Sequence, residues 1–311
     1  MTNTTKEIFE KYEIRKTPNQ KKAFRDYLIP YAKSLGYEAK EESVSKKGSN
    51  VIVGNPETAK VIYTAHYDTC AGMPFPNFIT PKCIPIYIAY QLVLTFVLFL
   101  VPFLVMLVGA PIVFERTESK VLETITRLGG YVLLWVILFI MMKGPANKHT
   151  ANDNTSGVTL LIDIMRDLPT EDRDNVAFIF FDLEELGTVG SKTYKRNHPT
   201  IAKTKPIINF DCVSDGKNIL FVVKKAAANL APKIEDAFKS NDTYTVEVVS
   251  KGAFYPSDQR NFEHGIGVAA LNKFKNGILY MDKIHTPKDT VYDEENIEFL
   301  KNGAIEFVKI I

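Results

Sequence analysis

Five short clusters along this chain carry the residue types from which hydrolytic metal centres are built. They are His66-Tyr67-Asp68, Asn152-Asp153-Asn154-Thr155-Ser156-Gly157, Asp182-Leu183-Glu184-Glu185-Leu186-Gly187, Asn209-Phe210-Asp211 and Ile284-His285-Thr286-Pro287-Lys288-Asp289-Thr290. Together they supply two imidazoles and several carboxylates, a donor set suited to two zinc ions sharing one bridging carboxylate. Such a centre hydrolyses bonds because the metal lowers the pKa of a water and a nearby carboxylate takes its proton.

Taken singly the clusters are unequal. His66 and Asp68 follow a β-branched run, and strand alternation puts i and i+2 on one side. His66 can then bind metal through one ring nitrogen while Asp68 accepts the N–H of the other. Asp153 precedes a helical pattern, where Asn and Asp are ordinary N-caps, so its alternative role is capping rather than bridging. Glu184-Glu185 is the sharpest signal: two adjacent glutamates at the end of the apolar run Ala177-Phe178-Ile179-Phe180-Phe181 make a poor solvated face. Their side chains diverge, so one can hold metal while the other reaches the attacking water. His149, His198 and His264 stand in polar loop contexts and read as surface residues.

The elements that must position these groups alternate. Residues 18–35 form an amphipathic helical pattern ended by Gly36, with Pro30 inside it. Strands are expected at 50–54, 60–65, 176–181, 206–210, 219–223, 244–249 and 268–271, and helices at 158–168, 190–197, 227–239 and 294–310. This predicts an α/β fold with a mixed, mostly parallel central sheet and helices on both faces.

One stretch breaks the pattern. Residues 84–114 hold no charged side chain, and these 31 residues exceed the roughly 20 needed to cross a bilayer as a helix. A second apolar run, 128–142, reaches a full span only if it starts near Val121, with Glu123 and Arg127 at the interface. Tyr87, Tyr90, Tyr131 and Trp135 suit interfacial anchoring. The sequence therefore divides into a catalytic domain at 1–83 and 144–311 and an inserted transmembrane helical hairpin at 84–143. The alternative is a hairpin buried in a soluble protein. Lys82, Lys143 and Lys148 flank the hairpin on the domain side, and Arg116, Lys120 and Arg127 on the other, so the positive-inside rule is tied. The N-terminus lacks a signal-peptide apolar core. Three isolated cysteines, Cys70, Cys83 and Cys212, give no disulfide framework and suit a reducing compartment. These features favour an integral protein of the plasma membrane whose catalytic domain faces the cytoplasm. Net charge is +2 with acids and bases interspersed, so nothing suggests a nucleic-acid-binding surface, which would need a concentrated basic patch.

In order and context, His66-Tyr-Asp68, Asp153-Asn-Thr-Ser-Gly, Glu184-Glu185-Leu-Gly, Asp211 and His285-Thr-Pro-x-Asp289-Thr resemble the motif set of the aminopeptidase Y-type di-zinc exopeptidases, relatives of glutamate carboxypeptidase II. The resemblance runs from about residue 20 to the end, the hairpin excepted. It implies that Asp153 bridges two zinc ions, that His66 and Asp211 complete one and Glu185 and His285 the other. Glu184 is then the general base, Asp68 orients His66, and the peptide after Asp153 is cis. Tyr255-Pro-Ser-Asp258-Gln259 resembles a Ser-Asp-His stretch of the family, with Gln259 in place of His. Tyr255 there could donate to the developing oxyanion.

The resemblance implies an aminopeptidase acting on peptides with a free N-terminus beside a lipid bilayer. A carboxypeptidase or dipeptidase on the same scaffold is the nearest alternative. A glutaminyl cyclase is less favoured because both ligand sets are present. A non-enzymatic adaptor is disfavoured because no ligand is lost, and transport because the apolar runs carry no intramembrane charge.

Overall fold

The computed structural model describes every residue except Lys47. Nine strands form one sheet: β1 (Ala39–Ser45), β2 (Gly48–Val53), β3 (Val61–His66), β4 (Val176–Phe181), β5 (Ile207–Phe210), β6 (Asn218–Val223), β7 (Thr245–Val249), β8 (Gly265–Lys273) and β9 (Leu279–Tyr280). Their order is β1-β2-β4-β3-β5-β8-β6-β7, with β9 paired to β8. The central strands β4, β3, β5 and β8 are mutually parallel, whereas β2 joins β4 and β6 joins β8 antiparallel.

Both faces of the centre are covered, as the unbroken apolar run of β4 requires. Tyr63, Ala65, Phe178 and Phe180 point into a core with Leu28, Leu160 and Phe307 from the helices Pro18–Ser34, Gly157–Asp167 and Glu294–Ile310. Their neighbours Ile62, Ile179 and Phe181 point the other way, against Tyr194, Ile201 and Phe262. Strand alternation thus sorts one apolar sequence into two cores. Register then aligns the ends: His66 pairs with Phe181, the last residue of β4, and β5 runs beside β3. The clusters after β3, β4 and β5 consequently meet at one carboxyl edge, where parallel sheets place ligands.

Several elements differ from the expectations. The edge strand β1, Ala-Lys-Glu-Glu-Ser-Val-Ser, is too charged to show an apolar period, as suits an edge. The helix Asn3–Tyr12 was not anticipated and buries only Thr5 and Ile8. The pattern at 227–239 is a 3-10 turn, Lys225–Leu230, followed by a short helix, Ala231–Ala237. Pro232 sets that break, since it belongs in a first helical turn.

The apolar stretch forms two antiparallel helices, Ile84–Thr117 and Lys120–Lys143, both long and apolar enough to cross a membrane. Their side chains face outward: Leu92 and Phe96 are 65% exposed and Trp135 69%. The buried-hairpin alternative does not describe them. They cross closely at Gly130, where a Cβ would lie 2.4 Å from Met106 Cγ and 3.0 Å from the Pro102 carbonyl. The first helix widens to a π-turn at Val105–Gly109, and Ala110 N–H donates to the Val105 carbonyl. In that register the next donor, to Met106, would be Pro111, which has no N–H. Arg127 fills the gap by donating Nη1–H to the Met106 carbonyl at 3.0 Å while pairing with Glu123 at 2.9 Å. Arg127, expected near an interface, reaches the first helix while its side chain stays 41% exposed.

Candidate metal centre

The site assembles around Asp153. This residue was expected at a helix start, but the Gly157–Asp167 helix begins four residues later, and Asp153 itself is extended, with φ −109° and ψ 94°. The peptide to Asn154 is cis. No side-chain cap forms there; the carboxylate faces the two histidines instead. Asp153 Oδ1 lies 3.2 Å from His66 Nε2 and Oδ2 lies 3.1 Å from His285 Nε2. On the outer sides, Asp211 Oδ1 is 3.4 Å from His66 Nε2 and Glu185 Oε2 is 3.3 Å from His285 Nε2. Two donor groups result, His66–Asp153–Asp211 and Asp153–Glu185–His285, sharing the Asp153 carboxylate. The ligand atoms of the first lie within 4.8 Å of one another, close enough to hold a metal ion. In the second, Glu185 Oε1 is buried and has no hydrogen-bond partner among the described residues.

Local structure fixes each donor. Asn154 locks three segments: its Nδ2 donates to the Phe210 carbonyl at 3.1 Å, and its Oδ1 accepts from Gly157 and Cys212 N–H. A side chain at Gly157 would meet the Phe210 carbonyl at 2.4 Å, so the approach of this helix to β5 requires glycine. Asp289 accepts from the Asn152 and Asp153 N–H groups at 2.9 and 3.1 Å. Leu183, Cys212 and His285 all adopt positive φ, uncommon for residues with a Cβ and here concentrated around the donors.

Two side chains sit differently from the sequence expectation. His66 Nδ1 lies nearer the Asp68 main-chain carbonyl, 3.1 Å, than its carboxylate, 3.7 Å. The Asp68 carboxylate instead accepts from Glu184 and Glu185 N–H at 2.9 and 3.2 Å, because the turn after β4 presents two free donors there. Tyr255, expected to face an oxyanion, is 3% exposed and donates its hydroxyl to the Asp211 carbonyl at 2.9 Å. It supports Asp211 from beneath. Glu184, half-buried beside these groups, has no side-chain hydrogen bond among the described residues.

Arg15 escaped the sequence reading altogether, because one arginine in a short loop carries no pattern. It is fully buried and donates to the Tyr67, Tyr12 and Glu13 carbonyls and to Thr155 Oγ1. It thereby ties the His66–Asp68 segment to the one that follows Asp153. Arg15→Ala strands several buried acceptors and is expected to cost on the order of 3 kcal/mol. Denaturant unfolding checks this; a change within 0.5 kcal/mol, as is usual for surface substitutions, would contradict the role.

Burial opposes charge throughout the site. It raises the Glu184 pKa well above the carboxylate range, and Glu185 to about 8 against the pull of His285. Asp258, buried with one oxygen lacking a partner, rises to about 7, as does Asp289. Burial alone would lower the histidines. Asp211, Asp153 and Asp68 nevertheless hold His66 well above its ordinary value, and Glu185 and Asp153 raise His285 to about 9. Asp153 is held below its usual range by His285 and His66, although burial acts the other way. A donor set this crowded with carboxylates suits divalent cations, which displace protons as they bind.

Residues 140–307 match the family model for peptidase family M28. The chain belongs to this family. Its members are zinc-dependent, and the His66–Asp153–Asp211 group fits such an ion in residue type and spacing. The matched stretch begins after His66 and Asp68, which the fold returns to the site through β3.

No curated protein matches the chain. Among solved structures, it is similar to the LapA aminopeptidase of Legionella pneumophila, with 12% identity over 98% of this chain and 67% of that one and a TM-score of 0.58. A leucine aminopeptidase precursor from Bacteroides thetaiotaomicron matches at 15% identity over 98% and 93%, TM-score 0.57. A glutaminyl cyclase from the same organism, bound to N-acetylhistamine, matches at 15% over 98% and 94%, TM-score 0.58. At these identities the likeness speaks for the fold, which aminopeptidases and cyclases share.

Beside the centre runs a cleft of about 490 Å³, lined in part by Lys16, Cys70, Met141, Met142, Glu185 and His285. Met141 and Met142 come from the last turn of the second apolar helix. Lys16 Nζ donates to the Met142 carbonyl at 3.3 Å, tying that helix end to the segment just before the Pro18–Ser34 helix.

Proposed function

We propose that this chain is a membrane-bound di-zinc aminopeptidase. The observation that supports it most is the position of Asp153, one oxygen toward each histidine, with Asp211 and Glu185 flanking. His66, Asp153 and Asp211 would hold one zinc ion, and Asp153, Glu185 and His285 a second. Zinc supplies Lewis acidity and a lowered water pKa. Glu184 receives the proton of the attacking water and returns it to the leaving amine. Its free carboxylate and raised pKa suit both transfers. Asp68 keeps Glu184 and Glu185 in place through their main-chain N–H groups.

The deciding experiment is a screen of the detergent-purified protein with metal quantification, using peptides with free N-termini, blocked N-termini or blocked C-termini, and an N-terminal glutamine peptide. Hydrolysis confined to free N-termini, with two zinc ions per chain, is expected. Release of C-terminal residues from N-blocked peptides would favour the carboxypeptidase alternative. Cyclisation of N-terminal glutamine with one zinc would favour a cyclase, an activity named among the fold neighbours.

Residues 84–143 read as a transmembrane hairpin inserted in the catalytic domain, holding the domain on the cytoplasmic face. Because Met141 and Met142 wall the cleft, the hairpin selects substrate as well as anchoring the domain, and flexible thioethers suit varied apolar side chains. Replacing 84–143 by a short linker is expected to reduce the preference for apolar over polar N-terminal residues by about tenfold or more, the scale of one or two lost methylene contacts. Equal kcat/KM ratios for leucyl and seryl substrates before and after deletion would leave the hairpin as an anchor alone.

A further inference from the structure

We infer that Cys70 is a thiolate ligand of the metal position formed by Glu185 and His285. The inference rests on the metal-centre reading above and adds to it a residue that neither the motifs nor the family match assigns. Cys70 follows the His66-Tyr67-Asp68 turn by two residues and is 3% exposed. Its Sγ, a Glu185 carboxylate oxygen and a His285 ring nitrogen lie within 4.8 Å of one another. The sulfur has no hydrogen-bond partner among the described residues. Neither has Glu185 Oε1, although the Glu185 side chain is only 10% exposed. A buried sulfur and a buried carboxylate oxygen, both able to donate electron pairs, thus lack hydrogen-bond partners among the described residues.

The two halves of the centre therefore differ. The group around His66 is made of nitrogen and oxygen donors, with Asp153 and Asp211. Around His285 a sulfur joins them. Cys212 is no equivalent of Cys70: its thiol donates to Asp211 Oδ1 at 3.2 Å and it packs into an apolar cluster with Leu220 and Tyr255. The main-chain carbonyl of Cys70 accepts from Asn147 N–H, and Gly72 N–H donates to the Pro145 carbonyl, so the loop bearing the thiol is pinned on both sides. On coordination the thiol loses its proton to solvent and a sulfur–zinc bond forms, with no change of oxidation state. Thiolate is softer than carboxylate and favours zinc over manganese or magnesium. The second position would accordingly hold zinc where a purely N/O site is more permissive.

X-ray absorption at the zinc edge, on the zinc-loaded full-length protein in detergent, tests this without any variant. The expected result is one sulfur per two zinc ions at about 2.3 Å, beside nitrogen and oxygen at about 2.0–2.2 Å. Cys70→Ala should lose the sulfur shell and Cys212→Ala should keep it. The cobalt-loaded protein should show a thiolate-to-metal charge-transfer band in the near ultraviolet that Cys70→Ala abolishes. Wild-type zinc with only nitrogen and oxygen neighbours would overturn the Cys70 assignment and leave the metal centre standing. A wild-type protein that takes up no zinc at all would overturn both.

Discussion

Glu184→Gln is expected to lower kcat by roughly 10²–10⁴, the range a general base contributes, while zinc content stays at the wild-type level. The separation of the two effects follows from the geometry. Glu185 faces His285, whereas Glu184 approaches no histidine within ion-pair distance and accepts no hydrogen bond among the described residues. The amide preserves shape but cannot take a proton. The Asp68 carboxylate still receives the Glu184 and Glu185 N–H groups, so the turn is undisturbed. Turnover of an aminoacyl anilide alongside metal analysis checks the prediction. Wild-type turnover would remove Glu184 from the reaction; loss of zinc together with activity would make it a ligand.

Asp153→Ala is expected to abolish activity and to take both ions with it. Its two oxygens stand 3.2 and 3.1 Å from the two histidines, and among the described residues no other side chain pairs with both. Loss of an outer-sphere partner costs about 10–100-fold in metal affinity, and loss of a shared ligand should exceed that at each position. Asp211→Ala, by contrast, removes a donor from the His66 side alone and should leave the other ion bound. Zinc counts near zero for the first variant and near one for the second are the expected pair of results, with unchanged far-ultraviolet circular dichroism showing that each variant folds. One ion retained in Asp153→Ala would mean that the two positions do not share this carboxylate.

How much of this could be read from the sequence differs by residue type. β4 was legible to its ends because a strand covered on both faces needs six consecutive apolar residues, and Val176–Phe181 supplies them. The hairpin was legible because 31 uncharged residues have few other uses. β1 was not, since an edge strand meets no demand for alternation and Lys40-Glu41-Glu42 hides it. The five clusters brought together around Asp153 were found because imidazoles and carboxylates at strand ends are chemically distinctive. What supports them was mostly missed. Arg15 and Asn154 act through hydrogen bonds to main-chain atoms distant in sequence, and such bonds leave no spacing to recognise. Tyr255 shows the same limit from the other side: its residue type suggested a donor to substrate, and only the fold reveals that the hydroxyl is spent on the Asp211 carbonyl.

The position of Arg127 bears on how the proposed hairpin would sit in a bilayer. From Arg127 to Met142 is about fifteen residues of helix, roughly 22 Å at about 1.5 Å per residue. The hydrocarbon layer is about 30 Å thick. The helix from Arg127 to its end is thus about 8 Å shorter than that layer. If the hairpin spans a bilayer as proposed, either the Arg127–Glu123 pair lies within the layer or the helix end bearing Met141 and Met142 lies below its surface.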